Sequence, residues 1–128
     1  MLLSQFSKAY EAWNNPKTEE EKTLNENFLV ANQRTVWQEG DRELRCLVID
    51  FARLKDEPDV SLLLDALEDN DIIIVHAALG ALAILAHKGR LTTSESIRSG
   101  VRGIMERDPE SIAICYGILR RLKATGSP

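Results

Sequence analysis

Apolar residues recur at helical spacing along almost the whole chain, while strand-type alternation is nearly absent. That pattern confines the fold to helices packed on helices. The clearest stretch is LDALEDNDIIIVHAALGALAIL, from Leu64 to Leu85. An acidic residue stands at 69 and another at 71, and apolar or small residues follow at 74, 78, 81, 82 and 85. The isoleucines at 72, 73 and 74 favour a strand when taken alone. The apolar run continues through alanine-rich sequence for about four turns, however, and that length selects a helix.

Local signals divide the chain into helices. Leu2, Leu3, Phe6, Tyr10 and Trp13 form one stripe, so 2–14 reads as an amphipathic helix ended by Asn14-Asn15-Pro16. Thr18 with Glu21 is a capping box, in which the threonine oxygen accepts from the backbone and the glutamate reaches back. The helix it opens runs to about Gln38, with Leu24, Phe28, Ala31, Val36 and Trp37 as its apolar positions. Gly40-Asp41 restarts the chain, and 41–55 reads as a helix apolar nearly all round. A short helix follows from Val60 to Glu68, then one from the Asp69-Asn70-Asp71 caps to Lys88-Gly89. Thr92 with Glu95 makes a second capping box for a helix burying Ile97, Val101, Ile104 and Met105. Asp108-Pro109 starts the last helix, which runs to about Lys123.

The pattern repeats. Counted from Asp69, apolar or small residues fall at +5, +9, +12, +13 and +16. Counted from Glu39, the first four offsets give Leu44, Val48, Phe51 and Ala52, and from Glu106 they give Ser111, Cys115, Ile118 and Leu119. The three starting points are 30 and 37 residues apart, a period typical of stacked helix pairs. This acidic turn, followed by alanines and leucines, resembles the HEAT-repeat family over residues 18–123. Arg45 matches that family's arginine after the valine position, whereas Val75 and Ile112 replace it elsewhere. The resemblance implies an all-α, right-handed solenoid of about three helix pairs (18–55, 59–88 and 92–123) behind an N-terminal capping helix, 2–14. It also implies protein binding and no particular activity. A plain six- or seven-helix bundle accounts for the same periodicity without a repeat. The inward register places Leu44, Val48, Phe51, Leu64, Leu67, Ile74, Ala78, Leu82, Leu85, Ile104, Ile118 and Leu119 in the core of a single domain, 1–128.

Net charge is −4 and unevenly spread. Residues 1–88 hold 9 Lys/Arg against 16 Asp/Glu, a charge of −7, and residues 89–128 hold 7 against 4, a charge of +3. The acidic majority argues against broad nucleic-acid binding, which requires phosphate neutralisation, and suits a basic protein partner. No apolar run is long enough to span a bilayer, and the first thirteen residues lack the basic start of a signal peptide. A cytoplasmic location is expected, with Cys46 and Cys115 reduced and buried in their helices.

No catalytic or metal motif stands out, and no cofactor is expected. His76 and His87 lie about 16 Å apart on one helix, too far to share a metal. No glycine-rich phosphate loop exists. The aromatic stripe Phe6, Tyr10 and Trp13 suits either a cover for the terminal repeat or a partner anchor. The most informative surface is the second-helix face at +4, +7, +11 and +14. It comprises Glu43, Cys46, Asp50 and Arg53, then Ile73, His76, Gly80 and Ala83, then Glu110, Ala113, Gly117 and Arg120. Gly80 and Gly117 each destabilise a helix by about 1 kcal/mol relative to alanine, which close approach of another helix would explain. That helix belongs either to a partner or to the chain's own termini.

The reading is a non-catalytic adaptor, chaperone or inhibitor that grips another protein. Glu43, Asp50, Arg53, Ile73, His76, Gly80, Ala83, Gly117 and Arg120 are its expected contacts. A cytosolic immunity protein neutralising a basic toxin is the alternative. An enzyme or nucleic-acid module on the same scaffold needs a basic, aromatic concave face, which these positions lack.

Overall fold

A computed structural model describes residues 1–92 and 94–122. The described residues contain seven α-helices and one 3-10 turn. The helices are α1 (Leu2–Asn14), α2 (Glu19–Glu39), α3 (Arg42–Leu54), α4 (Val60–Ala66), α5 (Ile72–His87), α6 (Glu95–Arg107) and α7 (Ile112–Arg121), with the 3-10 turn Pro109–Ser111 leading into α7. Lys123, where the last helix was expected to end, lies outside the described residues. The chain divides into two compact units, one covering Met1–Phe51 and one starting at Ala52.

In the first unit α1 packs along α2. The expected α1 stripe holds, with Phe6, Ala9, Tyr10 and Trp13 buried. Trp13 meets Phe51 edge-on at 4.9 Å between ring centres, and its indole N–H donates to Glu26 Oε1 at 3.0 Å. A buried indole thus keeps its polar edge satisfied while its faces pack. Thr18 caps α2, its Oγ1 accepting from the Glu21 N–H at 3.0 Å. The buried side of α2 is Leu29, Gln33 and Val36, of which only Val36 was expected. Leu24 is 66% exposed, Ala31 is exposed, and Phe28 and Trp37 are half-buried. Both stripes have i, i+4, i+7 spacing, so periodicity alone does not choose between them. The polar Gln33 disguised the buried one.

Gly40 joins α2 to α3 because nothing larger fits. A Cβ there would stand 2.7 Å from the Val36 carbonyl oxygen and 2.9 Å from Leu44 Cβ. Asp41 accepts from the Leu44 N–H at 3.0 Å and starts α3. Arg45 Nε donates to the Trp37 carbonyl at 2.9 Å, and its guanidinium lies 5.2 Å from the Trp37 ring centre. The arginine therefore ties the end of α2 to α3.

In the second unit α4 packs on α5 and α6, and α7 packs on α5 and α6. Asp59 caps α4 and Asp71 caps α5, each carboxylate accepting a first-turn N–H at 3.1 and 3.0 Å. The α5 helix ends in a Schellman turn. Gly89 adopts φ 70°, the Arg90 N–H bonds Leu85 O at 2.8 Å, and the Gly89 N–H bonds Ala86 O at 3.0 Å. Helix α6 corrects the sequence reading. Its cap is Ser94, whose Oγ accepts from the Ile97 N–H at 3.2 Å, rather than Thr92. Glu95 therefore sits in the first turn, where its charge opposes the helix dipole.

Most of the expected core is buried: Val48, Phe51, Leu67, Ile74, Ala78, Leu82, Leu85, Ile104 and Ile118. Leu44, Leu64, Leu119 and Met105 are half-buried, while Leu62, Leu63, Val75 and Leu79 are buried outside the expected list. The α5 burial is wider than one stripe because two helices cover it from different sides. Truncating Leu82 to alanine should lower unfolding free energy by about 2–5 kcal/mol, whereas Leu24→Ala should change it by less than about 0.5 kcal/mol. Chemical denaturation checks both. An equal loss at the two sites would refute the register of α2.

Candidate interaction surface

Four expected contacts lie on α5. His76 and Ile73 are exposed, and Gly80 and Ala83 are half-buried. Helix α7 carries Gly117, half-buried, and Arg120, exposed. The structure brings these two sets into one unit with the starts of α5 and α7 side by side. His76 Nε2 lies 2.8 Å from Asp108 Oδ2, just ahead of the turn into α7. On α3, Glu43 is exposed, while Asp50, Arg53 and Cys46 are half-buried. Cys46 thus differs from its expected burial, whereas Cys115 is fully buried, and neither forms a disulfide.

The glycines do not mark a close helix contact within the described chain. A Cβ on Gly80 would meet no atom within 4 Å, and one on Gly117 would meet only the Arg121 guanidinium, at 3.4 Å. The side of α5 that carries Gly80 is therefore open. Ile73 on that side is 48% exposed and Ile84 is 40% exposed. On α7, Tyr116 is 58% exposed and Ile112 is also exposed. Ile84, Ile112 and Tyr116 were missed in the sequence because the repeat register assigns them to neither the core nor the second-helix face.

A polar cluster sits at the start of α7. Asp108 Oδ2 accepts from Ser111 Oγ at 2.6 Å as well as meeting His76. The Ser111 hydrogen bond, followed by the His76 contact, holds the Asp108 carboxyl below its usual range despite opposing desolvation. Burial pushes the Cys115 thiol up, and the Asp108 charge adds to that. The order of the cluster matters chemically. The Ser111 hydroxyl donates its hydrogen bond to the same Asp108 oxygen that His76 contacts, so its described partner is a carboxylate. The arrangement pins the turn before α7 to α5. Sequence reading missed it because Ser111 occupied a weak apolar position of the repeat. Its available signal was the Asp108-Pro109-Glu110-Ser111 spacing, in which an aspartate precedes a serine by three residues.

Elsewhere in this unit a groove of about 820 Å³ runs between α4 and α6, with Gly100 and Gly103 on one side and Asp65 and Glu68 on the other. Arg107, at one end, donates to the Leu67 carbonyl and joins the ends of α6 and α4. Among the described residues no three His, Cys, Asp or Glu side chains converge as a metal site. No described helix is long and apolar enough to cross a membrane. Comparison of the chain with protein-family models, curated proteins and solved structures gives no match.

The lowered Asp108 value has a direction in stability. A depressed carboxyl stabilises the fold above its ordinary 3.8, and that contribution is lost as pH falls through the folded value. Asp108→Asn should therefore melt below wild type near roughly pH 7, with the gap narrowing towards roughly pH 3. Thermal melts across that range check it, and a gap independent of pH would contradict the assignment.

Proposed function

We propose that this chain is a small non-catalytic helical scaffold of HEAT-like type that binds another protein through the second-helix side of α5 and α7. The observation that carries the reading is the uncovered side of α5. Ile73 and Ile84 are large apolar residues left in water, with open space over Gly80 between them. Contiguous exposed apolar surface on a soluble helical unit marks a contact surface. The packing of α4 with α5 and of α6 with α7, with α5 beside α7, supports helix pairs stacked in register. His76, Ala83, Gly117 and Arg120 supply small or polar neighbours to that surface.

The alternative reading, an immunity protein, draws on charge outside this surface. The excess of −7 over residues 1–88 suits a basic partner such as a nuclease toxin. Association with such a partner should slow as salt rises, because steering is screened over about 8–10 Å at moderate ionic strength.

Affinity capture from the native host tests the binding surface. A protein recovered with wild type should be lost with Gly80→Trp while the circular dichroism spectrum stays that of the folded helical chain. Undiminished recovery of that protein by the folded variant would refute the surface.

A further inference from the structure

The open side of α5 has a regular seam. Ile73, Ala77, Gly80, Ile84 and His87 follow one another at spacings of 4, 3, 4 and 3 residues. At 100° per residue they fall within an arc of about 80°. That alternation is the pattern by which one helix docks lengthwise on another, with each seam residue entering a gap on its partner. All five are exposed or half-buried in this chain, so the seam has no cover among the described residues.

The seam is complementary to itself. Placed antiparallel on a second copy, with the twofold axis between Ala77 and Gly80, each Ala77 faces a Gly80 of the other copy. Each Ile73 then faces an Ile84. The two smallest residues meet at the centre, where the helices come closest, and the two exposed isoleucines close over them on either side. Asp69, in the turn before α5, comes opposite Lys88, which follows the last turn. The neighbouring helix has the same polarity. Glu110 precedes α7, and Arg120 and Arg121 end it, all exposed. The His76–Asp108 contact sets the starts of α5 and α7 side by side, so this surface is acidic at one end and basic at the other. An antiparallel copy matches acid to base at both ends, whereas a parallel one sets like charge against like. A twofold interface requires this kind of self-complementary patch.

We propose that the α5 seam is a homodimer interface and that its occupant is the antiparallel α5 of a second copy. This rests on the reading of the α5 side as a binding surface and names what covers it. The Gly80 vacancy then admits close approach of the second helix, the role that no described residue of the same chain fills.

Sedimentation velocity of the purified full chain at high micromolar concentration tests the proposal. Wild type should sediment at twice the 14.4 kDa chain mass, and both Gly80→Trp and Lys88→Glu should shift it towards monomer. Adding Asp69→Lys to Lys88→Glu should restore the dimer, because the swapped pair still joins opposite charges. Ile73→Asp, at an exposed site, provides an independent disruption should Asp69→Lys weaken the α5 cap. A wild-type monomer would overturn the proposal, as would a dimer that survives both Gly80→Trp and Ile73→Asp. A monomeric wild type that still loses its captured protein on Gly80→Trp refutes the second copy and keeps the binding surface. A dimer abolished by Gly80→Trp with capture undiminished supports the second copy and refutes the surface as the site for another protein.

Discussion

A helix with apolar residues around most of its circumference must be covered from several directions, and α5 imposes that requirement on its unit. Its sequence from Ile72 to Ala86 offers few polar positions apart from His76. Helices α4 and α7 answer on two sides, burying Ile74, Val75, Ala78, Leu79, Leu82 and Leu85. Helix α6 closes the unit by packing on α4 and α7. Removing each large side chain from water contributes about 1.5–3 kcal/mol, so the packing on α5 dominates what holds these helices together. Among the described residues the remaining side has no such cover, and the functional reading grows from that deficit.

Polar groups refine this packing at helix ends. Asp59, Asp71 and Ser94 each satisfy a first-turn amide that would otherwise lack a partner. Asp108 has a different task. It joins the turn before α7 to His76 and Ser111, fixing where α7 starts relative to α5. In the first unit Trp13 has the comparable role, set against Phe51 and hydrogen-bonded to Glu26. Both devices combine apolar packing with a hydrogen bond of defined direction.

The helical class and most boundaries were legible because they are local properties. Thr18 and Asp71 cap as their sequence context indicates, and Gly89 ends α5 at the expected place. Misreadings arose where two local signals competed. Thr92 and Ser94 both offer a capping oxygen near Glu95, and the backbone uses Ser94. The stripes at 24/28/31 and 29/33/36 have equal spacing on α2, and only tertiary packing selects the second. The surface was partly legible. Ile73 and Gly80 followed from the repeat register, but the openness above Gly80 is a tertiary fact. The Asp108–His76 contact joins residues 32 positions apart, which no local pattern specifies.

The central claim is that the uncovered side of α5 is an interface between two copies of the chain. Isoleucine δ1-methyl NMR spectra recorded through a dilution series test it most directly, since the helix carries both exposed and buried isoleucines. Ile73 and Ile84 should shift with protein concentration, while the buried Ile74 stays in place. Ile73 and Ile84 signals unmoved across the series would contradict the account.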